Sequence, residues 1–434
     1  MAKDSIILKN ITLDDKPADI IVSDGIIRKI LPSGHLQELM QNEGDAPFVT
    51  HNAEVVDCYG KTAMPGLINM HTHAAMSLMR GIEEDVVFQD WLDAIWKIEA
   101  NIDSDFVYWG TKVAAIEMLK TGTTTFNDQY WSPTHAKVAA KEMGIRPVIS
   151  YVVLDKSDPS EASRQKGQCE RMYEASLKWN DDAIFSVAFH AVYSVSEEMI
   201  LWASEFAKKH DLRLHIHLCE THKEVHDCRD AHGGLSPVEE LDRLGVLDSR
   251  TIAAHSLWLS DNDIRILGER KVNCVHNILS NTKLASGYKF RYNELRDAGA
   301  NVCIGTDGCA SSNNLDILEA MKTAAVIQKA WRNDPKAWPL DELLKCATVN
   351  AAKALRINTG EIAEGKAADI LIIDTDSSFF LSPGSFLANF IYSAHSDCIE
   401  SVMVNGKFVM RERKILEEKD ILRQARKMIR QISE

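Results

Sequence analysis

Histidines and acids recur along this sequence at spacings that suit one metal ion. His71-Thr72-His73 is an H-x-H pair. On an extended strand end, residues i and i+2 point the same way, so both imidazoles can reach a single ion. The pair closes Pro65-Gly66-Leu67-Ile68-Asn69-Met70, an apolar run leading into a loop. His217 closes another apolar run and Asp307 follows a third. Three neutral imidazoles and one carboxylate suit Zn²⁺ as the first expectation, with Fe²⁺ as the alternative, and leave a position open for water. Any one of these histidines alone would read as a packed core or surface residue. Their joint placement at strand ends points to one divalent metal ion. His190, His255 and His276 also end apolar runs, and Glu220 follows His217 by three residues.

The elements that must position these residues alternate. Eight apolar runs read as strands: 62–70, 123–127, 146–153, 184–190, 213–218, 251–255, 272–276 and 301–305. Helical patterns separate them, with starts near Asp103-Ser104 and Ser196-Glu197-Glu198 and stops at Gly122 and Gly144. Eight β-α units in about 300 residues fit a TIM barrel, whose strand C-termini converge on one active-site face. No G-x-G-x-x-G or P-loop is present. The first 60 residues read as β, with Asp24-Gly25 between apolar runs. The last part contains a strand at 368–373, an Asn405-Gly406 hairpin and a helix over about 419–432. The expected fold is therefore α/β, a (β/α)8 TIM barrel with a small β-sandwich domain built from both chain termini. Its segments would be 1–62 for the N-terminal part of the small domain, 63–365 for the barrel, and 366–434 for the C-terminal part with the last helix.

Lys and Arg number 49 against 63 Asp and Glu, a net charge of −14. That balance, without a basic stripe, argues against binding nucleic acid or an anionic membrane. No run approaches the ~18 apolar residues of a membrane span, and the N-terminus shows a strand pattern in place of a signal peptide. The 9 cysteines are scattered with no C-x-x-C, as in a reduced, cytoplasmic protein. Cys219 and Cys309, close to the motifs above, read as small buried apolar side chains.

The stretches Pro65–His73, Leu214-His215-Ile216-His217-Leu218-Cys219-Glu220, Ala253-Ala254-His255 and Gly305-Thr306-Asp307-Gly308 resemble the motifs of the amidohydrolase superfamily. The branch they look like contains 5′-methylthioadenosine/S-adenosylhomocysteine deaminases, adenosine deaminases and triazine chlorohydrolases. Ser280-Asn281, Lys283-Leu284 and 307–314 match as well. The resemblance implies that His71, His73, His217 and Asp307 bind the metal. It also implies that Glu220 shuttles a proton from the attacking water to a ring nitrogen, and that His255 holds that water or the developing oxyanion. Glu220, His255 and Asp307 would then be catalytic. Glu99 would bind the ribose hydroxyls and His190 the purine base, with Glu220 and Asp307 also touching substrate. A carboxylate can accept two hydrogen bonds from a cis-diol.

The implied reaction is hydrolytic deamination of a 6-aminopurine nucleoside (adenosine, 5′-methylthioadenosine or S-adenosylhomocysteine) to the inosine-type product and ammonia, by a homo-oligomer. The alternatives are deamination of guanine, pterin or cytosine, or dechlorination of a triazine. Three departures from the family pattern stand out: Leu279 and Phe189 replace usual prolines, and Tyr151 stands where S-adenosylhomocysteine deaminases carry a carboxylate-binding arginine. Arg164 is the nearest substitute. Strand 184–190 has no lysine to bridge two metals. His215 is expected on the strand face opposite His217, His276 in an outer shell, Trp91 and Trp96 in the core or at the pocket mouth, and His222, His226 and His232 at the surface.

Overall fold

In the computed structural model, which describes residues 5–36, 53–179 and 183–433, the chain forms two separate sheets. Residues 1–4, where no signal peptide is expected, and part of the span 1–62 lie outside the described residues. In the first sheet, β1 (Ser5–Leu13) pairs antiparallel with β2 (Lys16–Ser23), and β2 with β3 (Ile26–Pro32). β4 (Glu54–Asp57) and β5 (Lys61–Pro65) run parallel to successive parts of β1. The second sheet holds β6 (Leu67–Thr72), β7 (Thr123–Gln129), β8 (Arg146–Val153), β9 (Ile184–Phe189), β10 (Leu214–Leu218), β11 (Thr251–His255), β12 (Asn273–His276) and β13 (Asn301–Ile304), parallel and in sequence order. β14 (Ile370–Asp374), β15 (Ile399–Val404) and β16 (Lys407–Met410) return to the first sheet, where β14 pairs antiparallel with β5. This is the expected (β/α)8 barrel with a β domain made from both ends of the chain.

The barrel strands are short apolar runs because both their faces are covered; every residue of β7, β10 and β11 is buried. No ladder joins β13 to β6. The ring closes there through the backbone N–H groups of Thr306 and Asp307, which donate to the His71 carbonyl at 3.3 and 2.9 Å. Asp103 and Ser196 cap the helices Ser104–Lys120 and Glu197–Lys209, as their residue types predict. The last helix runs Glu418–Met428 and continues as Arg430–Ser433.

The stretch 62–70, expected as one strand, is two. Gly66 separates β5 from β6, donating its N–H to Asp369 O at 2.9 Å, while Leu67 N–H turns to Gly122 O. A Cβ at residue 66 would lie 2.2 Å from Thr124 Oγ1, so only glycine permits this change of sheet. Both expected hairpin turns are present. Asp24-Gly25 and Asn405-Gly406 all have positive φ, as two-residue turns between twisted strands require. All nine cysteines are free and buried. Among the described residues no helix is long and apolar enough to cross a membrane.

Candidate active site

His71, His73, His217 and Asp307 come together at the C-terminal mouth of the barrel. Asp307 Oδ1 lies 3.3 Å from His71 Nε2 and 3.1 Å from His73 Nε2, and the Nε2 atoms of His73 and His217 are 3.4 Å apart. Backbone carbonyls set two of the imidazoles. His73 Nδ1–H donates to Gln129 O at 2.6 Å and His217 Nδ1–H to His190 O at 2.9 Å. A carbonyl can only accept, so both rings carry a proton on Nδ1 and turn Nε2 inward, where it can serve a cation once any second proton is lost. His71 Nε2 is buried with no hydrogen-bond partner, an arrangement that is costly unless something electropositive completes it. Asp307 Oδ2 accepts from Ser280 Oγ at 2.6 Å and Ser311 Oγ at 3.0 Å, and Oδ1 from Gly308 N–H at 2.9 Å. Three inward nitrogens, one of them orphaned, and an oriented carboxylate fit a divalent cation.

The backbone is strained at the same rim. Cys219, His255, Ser256 and Asp307 all have φ between 46° and 72°. Such residues cost roughly 1–3 kcal/mol each and gather at functional sites.

Beside the ligand cluster, Glu220 and His255 face each other, with His255 Nε2 3.7 Å from Glu220 Oε2. Burial raises the Glu220 carboxyl well above the usual carboxylate range, and the like charges of Asp307 and Glu224 add to this. Burial holds His255 down at about 3, so its imidazole is neutral. A cavity opens onto both and onto His73, His217 and Asp307. Its walls include Trp91 and Trp96, both expected in the core or at the mouth, with Tyr130, Trp131, Glu99 and His190. Burial raises the Glu99 carboxyl, against hydrogen bonding from Tyr130 and Trp131 that favours its charge. Burial, with the charges of His73 and Lys156, lowers His190 to about 3. Its Nδ1 is bonded to Ser194 Oγ at 2.7 Å.

Two readings of individual residues change. His215 does not point away from His217. The two-residue period of the strand turns both inward, and His215 Nε2 lies 2.9 Å from His71 Nδ1. With that nitrogen committed to His71, His215 backs His71 and does not join the candidate ligands. The same spacing rule that joined His71 and His73 was the signal for it. Arg164 is exposed on the helix Pro159–Ser176, bonded to Glu161 and Gln168, and does not line the cavity. Tyr151 points to the same helix, its hydroxyl donating to Gln168 Oε1 at 2.8 Å.

His276 stacks on Phe290 with ring centroids 4.2 Å apart. His222 and His226 are exposed and His232 is partly exposed, close to expectation. Ser280, Asn281 and Ser311, which lie in stretches that match the family motifs, hold the site from behind, as do Asn127 and Glu224, which carried no signal in the sequence. Glu224, for example, accepts the backbone N–H groups of Cys219 and Glu220 at 2.9 and 2.7 Å.

Comparison with known proteins agrees with this geometry. A 5′-deoxyadenosine deaminase of Methanoregula boonei is 40% identical over 97% of this chain and 93% of its own. A 5-methylthioadenosine/S-adenosylhomocysteine deaminase of Archaeoglobus fulgidus is 41% identical over 82% and 84%. The crystal structure of an adenosine deaminase from Xanthomonas campestris with bound zinc superposes with a TM-score of 0.88 at 30% identity, covering 100% of this chain and 99% of that one. The amidohydrolase family model matches residues 62–409, and with these relatives along nearly its whole length the chain belongs to the amidohydrolase family.

Proposed function

We propose that this protein is a metal-dependent hydrolytic deaminase of 6-aminopurine nucleosides, turning an adenine nucleoside and water into the inosine-type product and ammonia. His71, His73, His217 and Asp307 would hold the cation, with Zn²⁺ favoured over Fe²⁺. A bound divalent ion lowers the pKa of water from 15.7 to about 7, which makes hydroxide available at neutral pH.

The remaining chemistry falls to the chain. Glu220 takes a proton from the attacking water and delivers it to the purine ring nitrogen as C6 becomes tetrahedral. It then takes the remaining proton from the hydroxyl on tetrahedral C6 and passes it to the amino group, so that the C6–N bond breaks, the C6 carbonyl forms and ammonia leaves. A carboxyl pushed up by burial suits both halves of that transfer. Neutral His255 steadies the attacking oxygen and the negative charge that grows on it. Glu99 accepts the ribose hydroxyls, and His190 meets the base in the aromatic part of the cavity.

The observation that carries this reading is the placement of a buried, charge-disfavoured Glu220 3.7 Å from His255, at the wall of a cavity onto which the ligand set opens. The names of the relatives support the nucleoside class. Because Arg164 faces solvent, no guanidinium at that place meets a carboxylate tail. Neutral 5′ ends, as in 5′-deoxyadenosine and 5′-methylthioadenosine, are therefore preferred over S-adenosylhomocysteine. The reading includes a cytoplasmic homo-oligomer, which light scattering and cell fractionation check.

Loss of adenine absorbance with ammonia release, measured on these three nucleosides, tests the activity. Glu220→Gln should lower kcat about 10³-fold, within the 10²–10⁴ range of a positioned acid–base. A fully active Glu220→Gln enzyme would remove the shuttle role. Preferential turnover of guanine or a triazine would move the substrate class.

A further inference from the structure

The histidines at the mouth divide by what their Nδ1 atoms meet. Nδ1 of His73 and of His217 each faces a backbone carbonyl, which places a proton on Nδ1 and turns Nε2 toward the cluster. Nδ1 of His255 faces an amide. Asn281 Nδ2 lies 3.0 Å from it, and Asn277 Nδ2 lies 3.5 Å away on the same nitrogen. The way round of the Asn281 side chain follows from Ser286. Its hydroxyl donates to the Asn281 backbone carbonyl at 3.3 Å, so in its 3.1 Å contact with the Asn281 side chain it accepts. Ser286 has one hydroxyl hydrogen to give, so the Asn281 atom that meets both Ser286 Oγ and His255 Nδ1 is the NH₂ group. All three residues are buried, so water does not compete for these bonds.

We propose that Asn281 is a positioning residue: its side-chain NH₂ holds His255 Nδ1 as an acceptor, so that His255 keeps its proton on Nε2, aimed at the reacting centre. The consequence is a choice between two overlapping sets of possible ligands. His71, His73 and His217 offer atoms within 4.8 Å of one another, and so do His71, His255 and Asp307. A protonated Nε2 cannot ligate a cation, so His255 leaves the metal to the other four residues and acts as a hydrogen-bond donor. Ser280, the neighbour of Asn281 on the short helix Ile278–Lys283, orients Asp307. Two consecutive residues thus assign the roles of two groups across the site.

The inference rests on the proposed role of His255, and the test separates the two. Asn281→Asp keeps the shape and replaces the donor by an acceptor, which draws the proton of His255 to Nδ1. Nitrogen NMR of protein labelled with ¹⁵N-histidine reads the tautomer directly in zinc-loaded and metal-free protein, with His255→Gln assigning the resonance. Wild type should show the proton on Nε2, and Asn281→Asp on Nδ1. With the donor lost, kcat should fall about 10³-fold at nearly constant KM and unchanged zinc content, as for other enzymes with a misplaced tautomer or a missing oxyanion donor.

A wild-type proton on Nδ1 would overturn the proposal, as would Asn281→Asp with kcat within about threefold of wild type. The wild-type spectrum decides alone if the variant does not fold. Full activity of His255→Gln would instead sink the catalytic role of His255, whatever the tautomer.

Discussion

Two buried polar clusters sit at opposite ends of the barrel strands, and they are built on opposite principles. At the N-terminal end, Arg146 of β8 is nearly sealed from solvent against Asp369, just before β14. Its guanidinium donates to both Asp369 oxygens, to Thr125 Oγ1 at 3.0 Å and to Asn405 Oδ1, and Asn405 N–H donates to Asp369 at 2.8 Å. Each charge is paired and hydrogen-bonded. At the C-terminal end, two imidazoles meet one carboxylate with a third beside them, and a buried nitrogen has no partner. A satisfied cluster ties the barrel to the small sheet. An unsatisfied one stores free energy that a cation and a substrate can release.

The contrast implies that damage at one end spoils chemistry and at the other spoils folding. Asp307→Ala should abolish metal retention and lower kcat/KM by more than about 10³-fold, beyond the 10–100-fold of an outer-shell change. Above about pH 9, where the His73–Asp307 pair no longer stabilises the metal-free protein, its thermal unfolding should stay close to that of metal-free wild type. Arg146→Met strands the Asp369 carboxylate and should cost about 3–5 kcal/mol in denaturant unfolding. Its kcat per folded molecule should be unchanged within about twofold, and replacing Asp369 by leucine as well should recover stability. If Arg146→Met instead loses activity while staying stable, the two ends are coupled and the contrast fails.

His215 tests whether support for the ligands belongs to the chemical end. His215→Leu should weaken zinc binding about 10–100-fold, measured by competition with a chelator, and His215→Gln should recover part of it.

The smallest effect is a pH slope. In the metal-free protein burial works against a charged His73, but the hydrogen bond and charge of Asp307 outweigh it and raise its pKa from 6.5 to about 9. The raised value means that the protonated pair stabilises the metal-free protein fully below pH 6.5, a contribution lost as the pH rises through about 9. The metal must displace that proton. Apparent zinc affinity should therefore rise about tenfold per pH unit up to about pH 9 and then level off. A flat profile would mean that Asp307 and His73 do not share a proton.

Much of this site was legible before any coordinates. Strand ends are marked by local signals, an apolar run followed by a polar residue, and the barrel's topology carries all such ends to one face. That is why His71, His73, His217, His255 and Asp307 could be picked out together although 236 positions separate the first from the last. Caps and two-residue turns were legible for the same reason, since their physics is confined to a few adjacent residues. The break at Gly66 was not, because its cause is the side chain of Thr124 on the neighbouring strand. Arg164 and Tyr151 could not be placed from sequence either, since Arg164 lies on the outer helix with Gln168, which also holds the Tyr151 hydroxyl.

By itself the sequence determined which residue types stand where strands stop, and so that His71, His73, His217, Asp307 and Glu220 gather at one rim as a candidate cation site. Only the tertiary structure decided which groups face each imidazole nitrogen, which ring lies beneath His71, and which side chains line the cavity. Those outcomes depend on distances of about 3 Å between residues far apart in the chain, and only the packed barrel sets such distances.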